Sequence, residues 1–257
     1  MKSLINDLNA YLERINYHGP TNPSAENLRA LQLAHLQTVP FENLSIHARE
    51  PIALEGRALF TKIVENRRGG FCYECNGLFA ALLRGLGFDV TMLSAEVANA
   101  DGGFSQPFDH MALLVSESRR WLVDVGFGDS FLEPLLLDER GEQVQGKRAY
   151  KIVDEGGYLV LQQRETNTWT PQYRFTLQPY EFEDFAGMCR YHQTSPESHF
   201  TQKRICSRAT ESGRITLSDM RLIDTQDDGR HERVLASQEE YNDALQQHFG
   251  IVMAGSS

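Results

Sequence analysis

Apolar residues recur at helical spacing through the first third of the chain. Residues 4–15 predict one helix, whose apolar face consists of Leu4, Leu8, Tyr11, Leu12 and Ile15. A second helix is predicted with Asn22 as its cap and Pro23 at its first position, because both residue types favour a helix start. Its apolar positions are Leu28, Leu31 and Leu36. Residues 39–44 interrupt the pattern and predict a loop, in which Phe41 is a candidate to line a pocket.

A third helix is predicted to begin at Cys72. Gly69 and Gly70 allow the backbone to turn sharply just before it. The apolar positions that follow at helical spacing are Phe79, Leu82, Leu83 and Leu86. Gly87 is the predicted C-terminal stop. Cys72 is therefore placed in the first turn of this helix.

Between residues 88 and 176 the pattern changes to apolar and β-branched runs separated by turn residues. Strands are predicted over residues 88–98, 110–115, 120–125, 149–154, 158–163 and 168–176. Residues 116–119 join the second and third of these as a hairpin. A series of such strands predicts a meander or a small barrel.

The last part of the chain mixes short β-like runs with one helix. The runs cover residues 203–209, 214–218 and 220–223, and the helix covers residues 238–249. Ser237 and Glu240 predict a capping box at its start, and Gly250 predicts its end. The whole pattern is that of an α+β protein with three units, residues 1–87, 88–190 and 191–257.

Composition narrows the function classes. The chain has 257 residues with 41% hydrophobic content, which is enough for a large core. A formal net charge of −10 argues against a nucleic-acid-binding surface, because phosphate contacts need a basic face. No apolar run approaches the roughly 18 residues that span a bilayer. A cytoplasmic protein with four free thiols and no membrane partner is predicted.

The position of Cys72 predicts a nucleophile. Unpaired amide groups and the positive end of the helix dipole favour a thiolate at a helix start, and the thiolate is the reactive form. A buried, unreactive cysteine is the competing interpretation, since cysteine often behaves as a small hydrophobe. A histidine and an aspartate downstream favour the catalytic interpretation.

His110 and Asp124 are predicted to meet across the hairpin. If Glu117 is its centre, the two residues face each other directly, and a shift of one residue leaves them diagonal neighbours. A carboxylate fixes the tautomer of an imidazole and stabilises its protonated form. The predicted roles are Cys72 as nucleophile, His110 as base and Asp124 as the residue that orients the base.

Two other functions compete with a transferase. A cysteine hydrolase or transglutaminase-like enzyme would use the same three residues in the same order. A non-catalytic thiol or zinc module would use Cys72, Cys75, Cys189 and His192 as ligands. We favour the zinc module less than the enzymes and predict no metal. A zinc site needs a second pair of ligands besides Cys72 and Cys75, and the single Cys-x-x-His pair at Cys189 and His192 is a weak candidate for it.

Several motifs together resemble the arylamine N-acetyltransferase family, in its bacterial type. They are Arg68-Gly69-Gly70-Phe71-Cys72-Tyr73-Glu74, Asn76-Gly77-Leu78-Phe79, His110 and Trp121-Leu122-Val123-Asp124-Val125-Gly126-Phe127-Gly128. Pro40-Phe41-Glu42-Asn43-Leu44 is similar to another stretch of that family. The resemblance covers essentially the whole chain, and its motifs occur in the family's order.

The resemblance implies a helical first domain, a β-barrel second domain and an α/β lid around a cysteine-protease-like catalytic core. It implies acetyl-CoA as donor and an aromatic amine or hydrazine as acceptor. It also implies that the acceptor pocket is lined by Phe41, Phe71 and Phe127. Gly126 and Gly128 would let the pantetheine arm of the donor approach the backbone.

Two positions depart from the family pattern. Cys75 stands where a larger residue without a thiol is more usual, and Asp109 stands before His110 where a small or hydroxyl residue is more usual. A second carboxylate beside the site would repel a polyanionic donor or raise the pKa of His110. Asp109 therefore bears on how ligands bind.

Overall fold

Helices of the first third surround the helix that begins at Cys72. A computed structural model describes residues 8–226 and 229–253, so the predicted apolar position Leu4 lies outside the described residues. The helices of this part are α1 (Leu8–Arg14), α2 (Ala25–Thr38), α3 (Leu44–His47), α4 (Gly56–Phe60) and α5 (Cys72–Gly85), with a π-helical turn at Thr61–Glu65. Leu12, Leu28 and Leu31 are buried as predicted.

The start of α2 differs from the prediction. Ser24, rather than Asn22, is the N-cap, and its hydroxyl accepts a hydrogen bond from the amide of Asn27 at 3.2 Å. The Asn27 side chain donates to the Asn22 carbonyl at 2.8 Å. Asn22 and Pro23 therefore belong to the turn that precedes the cap.

The prediction for α5 is confirmed at both ends. The Glu74 carboxylate accepts a hydrogen bond from the amide of Phe71 at 3.2 Å, which fastens the first turn. Leu86 is the C-cap, and Gly87 follows it with φ +92°, a conformation that favours glycine. Most of the helix is buried, so its first turn is held rigidly against the rest of the protein.

A buried arginine ties α1 to the turn before α5. Arg14 donates to four backbone carbonyls: to Ile63 at 2.8 Å, to Thr38 at 3.0 Å, to Arg68 at 3.1 Å and to Arg67 at 3.3 Å. Burial lowers its pKa to about 10. These bonds join the ends of several segments at the backbone of the turn that leads to Cys72.

A cluster of buried charges fastens the same turn. Arg68 lies 2.8 Å from the fully buried Glu42 carboxylate, and Lys62 lies 2.7 Å from that of Glu74. Burial would raise the pKa of Glu42, but Lys62 and Arg68 hold it below its usual value. The carboxylate of Glu42 also accepts from the amide of Leu44 at 2.7 Å. The segment that carries Phe41 is thus attached to the turn before α5.

The centre of the chain forms an eight-stranded antiparallel sheet that nearly closes into a barrel, as predicted. Its strands are β2 (Asp89–Val97), β3 (His110–Ser116), β4 (Arg120–Val123), β5 (Leu135–Leu136), β6 (Gln143–Gln145), β7 (Arg148–Glu155), β8 (Tyr158–Glu165) and β9 (Thr168–Tyr180). Their spatial order is β5-β4-β3-β2-β9-β8-β7-β6. Large apolar side chains such as Phe131, Tyr150 and Phe175 fill a core of its own.

The predicted centre of the β3–β4 hairpin is wrong by one residue. Leu113 pairs with Val123 and Ser116 with Arg120, so the centre is Ser118 rather than Glu117. The amide of Glu117 donates to the carbonyl of Arg119 at 3.0 Å and closes the turn. On this register, His110 and Asp124 are diagonal neighbours on one face.

A third layer completes the fold. A five-stranded sheet has the order β1-β10-β11-β12-β13 and is covered by helix α8. Its members are β1 (Phe41–Glu42), β10 (Ile205–Thr210), β11 (Gly213–Ser218), β12 (Arg221–Gln226), β13 (Gly229–Val234) and α8 (Gln238–Phe249). The loop predicted at residues 39–44 thus contains a short strand, and the unit boundaries at 87 and 190 stay predictions.

Two short helices and a 3₁₀ turn connect the barrel to the third layer. They are the 3₁₀ turn Phe182–Phe185, α6 (Ala186–Thr194) and α7 (His199–Gln202). The predicted cap of α8 is half confirmed: Ser237 accepts from the amide of Glu240 at 3.2 Å, but the Glu240 carboxylate accepts from Ala236 rather than Ser237. Gly250 ends the helix with φ +68°.

Candidate active site

Cys72 is the first residue of α5 and is 3% exposed. Burial raises the pKa of its thiol, and the carboxylates of Asp109 and Asp124 raise it further, although a hydrogen bond from the amide of Met111 opposes them. The helix start was expected to favour a thiolate, but loss of solvation outweighs that effect here. A Cys72 anion therefore requires a cation beside it.

His110 is 3% exposed and begins β3. Its Nε2 lies 2.7 Å from Oδ2 of Asp124. Because a carboxylate accepts the Nε2 proton, the neutral ring carries its lone pair on Nδ1. The rings of Phe127 and Tyr173 pack against the imidazole, each with a centroid distance of 5.1 Å. His110 and Cys72 line the same cavity.

Four donors converge on the buried carboxylate of Asp124. Oδ2 accepts from His110 and from the Tyr173 hydroxyl at 3.1 Å. Oδ1 accepts from the Asn76 side chain and from the amide of Gly126, both at 2.9 Å. Since charge-assisted hydrogen bonds stabilise an ionised carboxylate, these contacts hold Asp124 as an anion in one orientation.

Two further residues of the site, Asn76 and Tyr173, were not predicted from the sequence. Asn76 lies four residues after Cys72, so helical spacing places it on the same face of α5. Besides binding Asp124, it donates to the carbonyl of Met111 at 2.6 Å and accepts from the amide of Val125 at 2.9 Å. It thereby joins the nucleophile's helix to β3 and to the segment that follows β4. The i, i+4 spacing was a signal for Asn76, whereas no local signal pointed to Tyr173 on β9.

Gly126 packs against the first turn of α5. A Cβ at this position would lie 2.7 Å from Cα of Cys72 and 2.9 Å from its carbonyl oxygen, so any larger residue would force the loop away from the helix. Gly128 has φ +91°, and a Cβ there would touch the ring of Phe41 at 3.6 Å. The structure therefore gives both glycines a role in packing, and their predicted contact with a donor stays a prediction.

A cavity of about 770 Å³ opens beside Cys72 and His110. Its aromatic wall consists of Phe41, Phe104, Phe127, Tyr191 and Phe200. Phe41 and Phe127, which the family resemblance assigns to the acceptor pocket, both line this cavity, and binding of the acceptor here stays a prediction. Phe71 does not line the cavity among the described residues: it is fully buried, and its ring packs edge-on against Phe200 and Tyr73. It supports the wall from behind.

The residues of the zinc alternative have other partners. Cys75 donates to the carbonyl of Gly70 at 3.2 Å, and Cys189 contacts the side-chain amide of Gln193 at 3.3 Å. Nδ1 of His192 lies 3.0 Å from the Ser198 hydroxyl. In the described part of the chain, no three His, Cys, Asp or Glu side chains converge as metal ligands. Nothing in this arrangement favours a zinc module.

Fold and site together define a class of enzyme. A buried thiol at a helix start, with an imidazole and carboxylate supplied by a neighbouring barrel, is a cysteine-protease-like core. The family model for N-acetyltransferases matches residues 24–257. The chain belongs to the arylamine N-acetyltransferase family and is an acyltransferase that carries out acetyl transfer.

Relatives of known function and structure agree with this assignment. The arylamine N-acetyltransferase of Escherichia coli is 35% identical over 82% of this chain and 76% of its own length. The Mycobacterium marinum enzyme in complex with CoA superposes with a TM-score of 0.90, at 33% identity over 98% of this chain and 95% of that one. A Bacillus cereus enzyme with a Cys-His-Glu triad has a TM-score of 0.88 and 26% identity, covering 97% and 100%.

The structure also bears on the predicted absence of a membrane partner. Across residues 8–226 and 229–253, no helix is long and apolar enough to span a bilayer. The predicted cytoplasmic location, and the predicted absence of a nucleic-acid partner, stay predictions.

Proposed function

We propose that the enzyme transfers an acetyl group from acetyl-CoA to arylamines and arylhydrazines through an acetyl-Cys72 intermediate, in a ping-pong reaction. The contact of 2.7 Å between His110 and Asp124, on the wall of the cavity that Cys72 also lines, carries this proposal. The CoA complex of the Mycobacterium marinum relative supports acetyl-CoA as the donor.

In the first half-reaction, Cys72 attacks the thioester carbonyl while its proton passes to Nδ1 of His110. The raised pKa of the buried thiol means that an isolated anion is unfavourable at this position. An ion pair avoids this cost, because the imidazolium neutralises the sulfur and Asp124 stabilises the imidazolium. The His110 proton then goes to the departing CoA sulfur, so the ring is neutral again when the acetyl-enzyme has formed.

In the second half-reaction, a neutral amine attacks the carbonyl carbon of the acetyl-cysteine and His110 accepts the amine proton. The C–S bond then breaks, and the released Cys72 sulfur pairs with the His110 imidazolium or takes its proton. Exchange of one thioester for another is nearly balanced energetically, so the intermediate can persist until an acceptor binds. The amide of Cys72 is the first of α5 and has no acceptor within the helix, which makes it a candidate donor to the oxyanion.

The cavity walls support a flat aromatic acceptor. Phe41 and Phe200 pack with ring centroids 6.1 Å apart, and Phe127 lies against His110. Aromatic side chains stack well on planar rings and exclude water, which would protect the acetyl-cysteine from hydrolysis. The hydrolase alternative has no separate observation in its favour.

Initial-rate kinetics test this proposal directly. Double-reciprocal plots with varied acetyl-CoA at several fixed acceptor concentrations are expected to be parallel, and Cys72→Ala is expected to abolish transfer. Intersecting lines together with activity in Cys72→Ala would indicate direct transfer between two bound substrates and would overturn the covalent route. Circular dichroism of Cys72→Ala is the control for folding.

A further inference from the structure

Two carboxylates stand on the cavity walls, those of Asp109 and the exposed Glu197, together with the imidazoles of His110, His192 and His199. No lysine or arginine is among the described residues that line it. A ligand beside Cys72 therefore meets two carboxylates without a lysine or arginine to balance them.

Asp109 is presented to the cavity by a rigid backbone. The Tyr73 hydroxyl lies 2.7 Å from the carbonyl of Phe108 and 3.1 Å from that of Asp109. The amide of Phe108 donates to the Ser94 hydroxyl at 2.7 Å, and Phe108 itself has φ +67°. A non-glycine residue keeps such a conformation only where its surroundings enforce it. The position of the Asp109 carboxylate is thus built into the fold.

The contacts of Asp109 keep it negatively charged. Oδ1 lies 3.1 Å from Nε2 of His192. Burial would raise the pKa of Asp109, but contacts with His192 and Ser105 hold it below its usual value. The carboxylate is therefore ionised at neutral pH.

His192 does not enclose the Asp109 carboxylate. Nδ1 of His192 lies 3.0 Å from the Ser198 hydroxyl, which also accepts from the amide of Phe200 at 3.2 Å. The Asp109 side chain stays 21% exposed and lines the cavity, so its carboxylate can still meet a ligand.

We propose that Asp109 determines acceptor specificity: the enzyme selects aromatic amines whose ring carries a neutral hydrogen-bond donor or a cation, and discriminates against amines whose ring carries a carboxylate. This inference rests on the proposed function, because the acceptor must reach acetyl-Cys72 through the cavity that Asp109 lines. Asp109 does not repel the reacting end of acetyl-CoA in the same way, because the pantetheine arm next to the thioester is uncharged.

The test compares 4-aminobenzamide with 4-aminobenzoate as acceptors for the same acetyl-enzyme. Two like charges about 7 Å apart in an effective dielectric of about 20 change a rate by about 10- to 50-fold. We expect the wild-type kcat/KM ratio of amide to acid to fall by that factor in Asp109→Asn, which keeps the side chain's shape. Glu197→Gln, at the exposed rim where solvent screens charge, is expected to change the ratio less than about threefold.

Using a ratio within each variant separates specificity from general damage to the enzyme. An unchanged ratio in Asp109→Asn would overturn the inference, as would a larger effect of Glu197→Gln. Failure of the acetyl-enzyme to form would instead reject the proposed function.

If Asp109→Asn does not fold, inhibition of the wild-type enzyme by a series of acceptor analogues provides the test. Competitive inhibition is then expected to weaken in the order benzamidine, benzamide, benzoate, and the reverse order would overturn the inference.

Discussion

Substitution of Asp124 by asparagine tests the network around His110 most sharply. The side chain keeps its shape, but one of its two oxygens becomes an amide group that donates. Each oxygen of Asp124 accepts from two donors, at 2.7–3.1 Å on Oδ2 and at 2.9 Å on Oδ1. Whichever oxygen the NH₂ group of asparagine replaces, this hydrogen-bond donor faces two other donors.

The less costly placement puts the amide on the Oδ2 side. There the Tyr173 hydroxyl can rotate to accept, and His110 can accept on Nε2 by moving its proton to Nδ1. The alternative leaves the amides of Gly126 and Asn76 without an acceptor, at about 1–3 kcal/mol each. We therefore expect a loss of about 1–3 kcal/mol in stability, or roughly 2–10 °C in Tm.

The consequence for the reaction is larger than that for stability. A proton on Nδ1 removes the lone pair that is proposed to receive the Cys72 proton, so general-base catalysis fails. Its loss is expected to slow acylation by about 10²- to 10⁴-fold. The assay is the single-turnover rate of CoA release on mixing with acetyl-CoA, in the absence of acceptor.

Tyr173→Phe is the matched control. It removes one of the two donors to Oδ2 but leaves the tautomer of His110 unchanged. We expect less than a tenfold loss in acylation rate. A folded Asp124→Asn enzyme that acylates within about threefold of wild type would refute the argument. Equal losses in the two variants would show that packing of the network, and not the tautomer, is the important factor.

Three further perturbations have outcomes set by the structure. Gly126→Ala places a methyl group 2.7 Å from Cα of Cys72 and should lower the acylation rate at least tenfold. In Gly128→Ala the new Cβ meets only ordinary van der Waals contacts, so we expect only a loss of about 1 kcal/mol in stability, caused by the positive φ of this position. Arg14→Met leaves the buried carbonyl of Ile63 and three partly buried carbonyls without their donor and should lower stability by about 3 kcal/mol in urea unfolding. Burial lowers the pKa of His35 to about 3. Below the usual histidine pKa of about 6.5, the unfolded chain therefore binds a proton at this residue that the folded protein does not bind. The free energy of unfolding decreases as the pH is lowered through this range. Between pH 6.5 and pH 5 we expect a loss of about 1.5 kcal/mol that His35→Phe does not show.

Each of these has a result that would contradict it. A Gly126→Ala enzyme with the wild-type acylation rate would mean that the loop can move without disturbing Cys72. Wild-type stability in Arg14→Met would show that water replaces the guanidinium at no cost. Parallel stability curves for wild type and His35→Phe would exclude His35 as the titrating group.

Features built from neighbouring residues were predictable from the sequence. The start of α5 follows from two glycines and a run of apolar positions, and the end follows from Gly87. The contact between His110 and Asp124 survived a wrong hairpin centre, because moving the centre by one residue shifts the strand pairing by two positions, which leaves the two side chains on the same face. The family motifs then linked these local features to one enzyme class.

Features built by pairing of distant segments were not predictable in the same way. Tyr173 reaches Asp124 only because β9 pairs with β2, beside β3. Asp109 meets His192 because the tertiary fold brings α6, which carries His192, beside the residue that precedes β3. Strand β13 was missed because its exposed, charged residues at 230–233 lack an apolar alternation, and its pairing with β12 is what makes it a strand.

The most direct test of the account is the intact mass of the protein after mixing with acetyl-CoA in the absence of acceptor. The account predicts a mass increase of one acetyl group, located on Cys72 by peptide mapping and removed when an arylamine is added. An unmodified protein that still transfers acetyl groups, or an acetyl group on any other residue, would contradict it.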